Sequence, residues 1–146
     1  MNSSTILLAE DEENDAFLIK CAFKEVGLVN PLVVVRDGEE AIHYLKGSGP
    51  YSDRASYPFP CLVLLDLKMP RLDGFDVLAW RKKQRHLKSL PIIVVTSSNQ
   101  EADNKKALDL GAAGYFVKRS DFQYLIVVVE QLRDRWIEPK TLRVLC

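Results

Sequence analysis

Apolar runs alternate with helical patterns along the whole chain. Strands are expected at Thr5–Ala9, Leu32–Val35, Cys61–Leu65, Ile92–Val95 and Tyr115–Val117. Such runs of small and branched apolar residues read as strands buried on both faces, as in a parallel sheet. Between them the apolar positions take helical spacing. A helix is expected from about Asp15, with Phe17, Leu18, Cys21, Ala22 and Val26 on one side and Gly27 as its stop. A short helix around Glu39–Lys46 buries Ala41, Ile42 and Leu45. A third begins near Gly74, with Asp73 as its N-cap and Phe75, Leu78 and Ala79 facing inward. Ser98-Asn99-Gln100-Glu101 and Ser120-Asp121-Phe122-Gln123 have capping-box spacing. They open a helix running to Gly111 and a final one running to about Trp136. Strand–helix units repeated in this way predict an α/β fold, a doubly wound five-stranded parallel sheet with helices on both faces. The flavodoxin-like order 2-1-3-4-5 is expected as one of the two common choices, and periodicity alone does not select it.

Gly47–Pro60 is the long irregular stretch, holding Gly, Ser, Pro, Asp and the aromatics Tyr51, Tyr57 and Phe59. It reads as an insertion before the third strand, either a partner-contact loop or a tolerated one. The length of 146 residues suits one domain. The 20 basic and 20 acidic residues cancel, which argues against a nucleic-acid binder driven by bulk charge. Cys21, Cys61 and Cys146 give neither a disulfide framework nor zinc-ligand spacing. There is no membrane-length apolar stretch and no signal peptide before the first strand. A soluble protein of the reducing cytoplasm, not held at a membrane, is expected.

Candidate chemistry collects at the strand ends. Asp66 ends the third strand, and open α/β sheets bind ligands at the carboxyl ends of their strands. Glu10 and Asp11 end the first strand, Thr96 the fourth and Lys118 the fifth. Acids, a hydroxyl and an amine on separate strand ends make a phosphoryl-transfer site the leading reading. Each residue also has a plainer role. Asp66 could form a turn, Glu10 and Asp11 could complement a helix N-terminus, Thr96 could cap a loop, and Lys118 could be a surface lysine with a buried stem.

In combination these motifs resemble the receiver domain of two-component response regulators. They are the acid pair after strand one, Asp-x-x-Met-Pro-x-x-Asp-Gly from Asp66 to Gly74, Thr96-Ser97, and Lys118. The match runs from Ile6 to about Arg135. The 47–60 insertion and Arg135-Trp136-Ile137 resemble the single-domain regulators paired with bacterial phytochrome kinases. The resemblance implies a receiver domain over residues 1–138, a 139–146 tail and no output domain. It also implies that Asp66 accepts a phosphoryl group from a histidine kinase or phosphotransfer protein, so that the chain is a phosphoacceptor signalling protein rather than an enzyme. Carboxylates converging in one crevice repel each other, raising the pKa of at least one, and a divalent cation relieves this. Hard oxygen ligands favour Mg²⁺. Asp11 and Asp66 would ligate directly, the Lys68 backbone carbonyl would add a third oxygen, and Glu10 would act through water. Lys118 and Thr96 would bind phosphoryl oxygens, and Thr96 with Tyr115 would form the switch.

Some features depart from the family or stay open. Arg119 follows Lys118 where the family usually has proline, often after a cis peptide, which puts the loop geometry in question. The Lys68 side chain either shields the acyl phosphate or pairs with Glu10. The output surface would be helix 4, strand 5 and helix 5, with Phe122, Val129 and Trp136 in a homodimer interface. A dehalogenase-type phosphatase would need an acid where Lys68 stands, and Glu10-Asp11-Glu12-Glu13 is no phosphate-binding glycine loop. The alternative is a phosphorylation-independent interaction module with the same fold. Direct transcriptional control and nucleic-acid binding are not expected.

Overall fold

In the computed structural model the structure describes residues 4–138. The five strands are β1 (Ile6–Ala9), β2 (Leu32–Val35), β3 (Leu62–Leu65), β4 (Ile92–Thr96) and β5 (Gly114–Val117). They form one parallel sheet in the order β2-β1-β3-β4-β5. Every residue of β1, β3 and β4 is buried, as continuous apolar runs require. The helices are α1 (Glu13–Val26), α2 (Gly38–Lys46), α3 (Gly74–Lys82), α4 (Glu101–Asp109) and α5 (Phe122–Leu132). Alternate strand residues feed two cores. Leu7, Val63, Leu65 and Val94 face α2, α3 and α4, whereas Ile6, Leu8, Leu64 and Ile93 face α1 and α5.

Several local expectations are corrected. α1 begins at Glu13, and its buried face is Ala16, Ile19, Ala22 and Phe23. Phe17 is 61% exposed, because the face is turned by about one residue from the expected stripe. α4 is not opened by a Ser98 capping box. Its N-cap is Gln100, while the Ser98 hydroxyl donates to Asp103 at 2.6 Å. Asp121, not Ser120, caps α5 by accepting from the Gln123 N–H. α5 then passes into a π turn over Arg133–Ile137. The described residues contain no cis peptide, so Lys118–Arg119 is trans. The 139–146 tail lies outside the described residues.

The insertion is anchored to α2. Tyr44 is fully buried, and the Tyr51 and Tyr57 rings pack on it with centroids at 4.9 and 6.2 Å. Arg54 donates to the Leu45 and Tyr57 carbonyls, and the Tyr51 hydroxyl donates to Glu40 at 2.5 Å. A second polar tie lies at the opposite end of the sheet from the strand-end acids. The buried Arg81 guanidinium, at the end of α3, donates to the Leu90 and Gly111 carbonyls at 2.6 Å each. Burial holds its pKa below the ordinary arginine range.

Candidate phosphoacceptor site

The carboxyl ends of β1, β3, β4 and β5 meet because the sheet is parallel. The backbone fixes Asp66 tightly. Its N–H donates to the Ala9 carbonyl at 3.1 Å, joining β3 to β1. Asp73 caps α3 in a reciprocal box with Asp76, which seats the first turn of that helix against the acceptor. A Cβ on Gly74 would lie 2.5 Å from the Asp66 carbonyl oxygen, so only glycine permits this approach. The Lys68 N–H folds back to Asp66 Oδ1 at 3.3 Å, while its side chain stays exposed.

Glu10, Asp11 and Asp66 offer carboxylate oxygens that all lie within 4.8 Å of one another. Lys118 reaches into the same crevice. Its ammonium donates to Glu10 Oε1 at 2.5 Å, Asp15 Oδ2 at 2.9 Å and Asp66 Oδ2 at 2.9 Å. Asp15, in the first turn of α1, was not foreseen from the sequence. Glu10 is 1% exposed and pairs with Lys118; among the described residues no ion pair joins it to Lys68, whose side chain is exposed. Burial, above all, pushes the Glu10 carboxyl up to about 7; the Lys118 hydrogen bond opposes the rise and the Asp66 charge adds to it. Desolvation therefore outweighs the expected mutual repulsion of the acids. Burial also works against the Lys118 ammonium, but its hydrogen bonds to Glu10 and Asp15 and the charge of Asp66 hold its pKa above the ordinary range.

Thr96 is fully buried at the end of β4, and its hydroxyl accepts weakly from the Ser98 N–H at 3.4 Å. Tyr115 packs on the core, and its hydroxyl donates to the Ser98 carbonyl at 3.0 Å. Val129 is a correction. It is 1% exposed on the inner face of α5, packed with Leu132 and Ile137, and is closed to a partner. Phe122 and Trp136 are half-buried at the edge of the same core. The large apolar residue that α5 exposes is Val127.

Three hard carboxylate donors beside a fixed cation suit a divalent metal and a phosphoryl group. A family model for the response regulator receiver domain matches residues 6–130. The chain belongs to this family. This receiver is 34% identical over 137 residues to response regulator Rcp1 of Synechocystis sp., covering 94% of this chain and 91% of that one. The Mn²⁺-bound form of Rcp1 superposes with a TM-score of 0.83 at 33% identity, covering 93% and 96% of the two chains. The phosphorylated cyanobacterial phytochrome response regulator RcpA gives 0.84 at 34% identity, over 92% and 94%. The bacteriophytochrome response regulator RtBRR gives 0.76 at 36% identity, over 88% and 77%. The receiver is thus of the Rcp1 and RcpA type, with the sheet order of that fold. Among the described residues no helix is long and apolar enough to cross a membrane.

Proposed function

We propose that this chain is a response regulator whose Asp66 takes a phosphoryl group from a phosphohistidine on a sensor histidine kinase or phosphotransfer protein, with Mg²⁺ required. The convergence of Glu10, Asp11 and Asp66, with the Lys118 ammonium bound to Glu10 and Asp66, carries the reading. An Asp66 carboxylate oxygen forms the new O–P bond as the P–N bond of the donor breaks. The electron pair of that bond leaves with the imidazole nitrogen. Asp11 and Asp66 would hold the Mg²⁺ directly, the Lys68 carbonyl would add an oxygen and Glu10 would act through water. When bound, the cation neutralises charge on the phosphoryl oxygens. Lys118 offers a fixed positive charge to one phosphoryl oxygen, and the Thr96 hydroxyl donates to another. Displacement of Thr96 and Tyr115 then alters the α4–β5–α5 surface.

The protein acts as a phosphoacceptor in the cytoplasm, not as an enzyme on a separate substrate, and binds neither nucleic acid nor membrane. A phytochrome-linked kinase is the partner that the Rcp1, RcpA and RtBRR relationships favour. Homodimerisation belongs to the same reading, and Leu108 and Val127, exposed on α4 and α5, support it. The test is intact-protein mass after acetyl phosphate treatment, with and without Mg²⁺, for wild type and Asp66→Asn. A Mg²⁺-dependent gain of one phosphoryl group, lost in the variant, is expected. No gain in wild type, from acetyl phosphate or from a kinase, would favour the phosphorylation-independent module.

A further inference from the structure

Lys118 has three ammonium hydrogens and three carboxylate partners. Two of these have other duties. Glu10 and Asp66 belong to the carboxylate cluster that suits a divalent cation, and Asp66 is also the acceptor. Asp15 is outside that cluster. It projects from the first turn of α1 at the rim of the crevice, and 35% of its side chain is exposed. Its contact with Lys118 is as short as that of Asp66, although the two residues are 103 positions apart. Asp15 and Lys118 also border a hollow between α1 and α5, lined by Leu18, Phe116, Leu125 and Val128 together with Arg119 and Tyr124.

A lysine without an anchor loses its position when its partners are claimed. Its four-carbon stem is flexible, and holding it costs side-chain entropy. We propose that Asp15 is a positioning residue, which retains the Lys118 ammonium as the divalent cation and the phosphoryl group claim Glu10 and Asp66. This deepens the proposed function and rests on that reading. The lysine need only turn from a carboxylate oxygen of Asp66 to a phosphoryl oxygen beside it, with one hydrogen bond kept throughout. An ammonium already in place stabilises developing charge without reorganising. Asp15 also weakens the hold of Lys118 on Glu10 and Asp66, and so eases entry of the cation.

The test pairs Asp15→Ala with Asp15→Asn. Asparagine keeps an oxygen that accepts from Lys118 but removes the charge; alanine removes both. Phosphorylation by acetyl phosphate is followed by intact mass, and Mg²⁺ affinity is measured by calorimetry on the unphosphorylated protein. Asp15→Ala is expected to slow phosphorylation and weaken Mg²⁺ binding, each on the order of tenfold, as for other residues that orient a metal-site group. Asp15→Asn should stay within about threefold of wild type on both, because the acceptor is kept. Both variants lose the same acid from the helix N-terminus, so a purely structural effect moves them together. Equal changes in the two variants, or wild-type behaviour of Asp15→Ala, would overturn the assignment. If wild type takes no phosphoryl group, the phosphoacceptor reading fails by itself, and the Mg²⁺ affinities still decide whether Asp15 positions Lys118.

Discussion

Replacing Glu10 by glutamine should stabilise the metal-free protein, and only above acidic pH. Glu10 is 1% exposed, and its carboxyl is raised from 4.5 to about 7 in the folded state. Between these values the folded protein binds a proton that the unfolded chain has released. Stability from this group is therefore fully present below pH 4.5 and is lost as pH rises towards 7. The difference of about 2.5 pH units corresponds to roughly 3 kcal/mol in total. Glutamine mimics the protonated form at every pH. The stability difference between Glu10→Gln and wild type should thus be near zero at pH 4 and grow to roughly 3 kcal/mol by pH 8. Urea unfolding at half-unit pH steps, with a chelator present, measures it. Saturating Mg²⁺ should stabilise the wild type by about 2.7 kcal/mol at a hundredfold excess over Kd, and Glu10→Gln less at the same concentration. A difference that is flat from pH 4 to 8 would refute burial as the dominant influence on Glu10.

Arg81→Met should cost about 2–4 kcal/mol in urea unfolding, since the Leu90 and Gly111 carbonyls lose a charged donor; an unchanged midpoint would show that solvent replaces it. Val129→Asp should leave the protein unfolded by circular dichroism, whereas Val127→Asp, at a position 46% exposed, should fold and shift only the monomer–dimer balance seen by ultracentrifugation. A folded Val129→Asp protein would contradict the inward orientation of that residue. Lys68→Ala should hasten loss of the phosphoryl group from Asp66 about threefold by opening the β3–α3 loop to water, and identical decay curves would dismiss the shielding role.

The strands were legible because double burial leaves an uninterrupted apolar run, and Ile6–Ala9 and Leu62–Leu65 are wholly buried. The acids were legible because parallel strands bring their carboxyl ends together whatever their separation in sequence. The wide apolar stripe of α5 did not reveal which residues face inward. Ile126, Val127, Val128 and Val129 are equally apolar, and only packing separates exposed Val127 from buried Val128 and Val129. Ser98 and Ser120 had the spacing of caps, but Asp103 engages the first and Asp121 displaces the second. Asp15 was hidden because an acid in the first turn of a helix already has a reason to be there. The signal lay in topology: the first turn after β1 must lie at the acidic end of the sheet.

Arg81 gives the domain a fixed pole. One planar cation stitches the turn before β4 to the turn after α4, and it does so through main-chain carbonyls. The contacts are to backbone oxygens, but neither position is free to vary: Gly111 has φ +103° and a Cβ there would lie 3.0 Å from the Arg81 guanidinium, and Leu90 is buried in the core. α4 is thus pinned at its C-terminal end and held at its start by the Ser98–Asp103 contact near Thr96. Under the proposed function, a shift of Thr96 would reach α4 through Ser98 and Asp103 at its first turn, while Arg81 holds the turn after its other end.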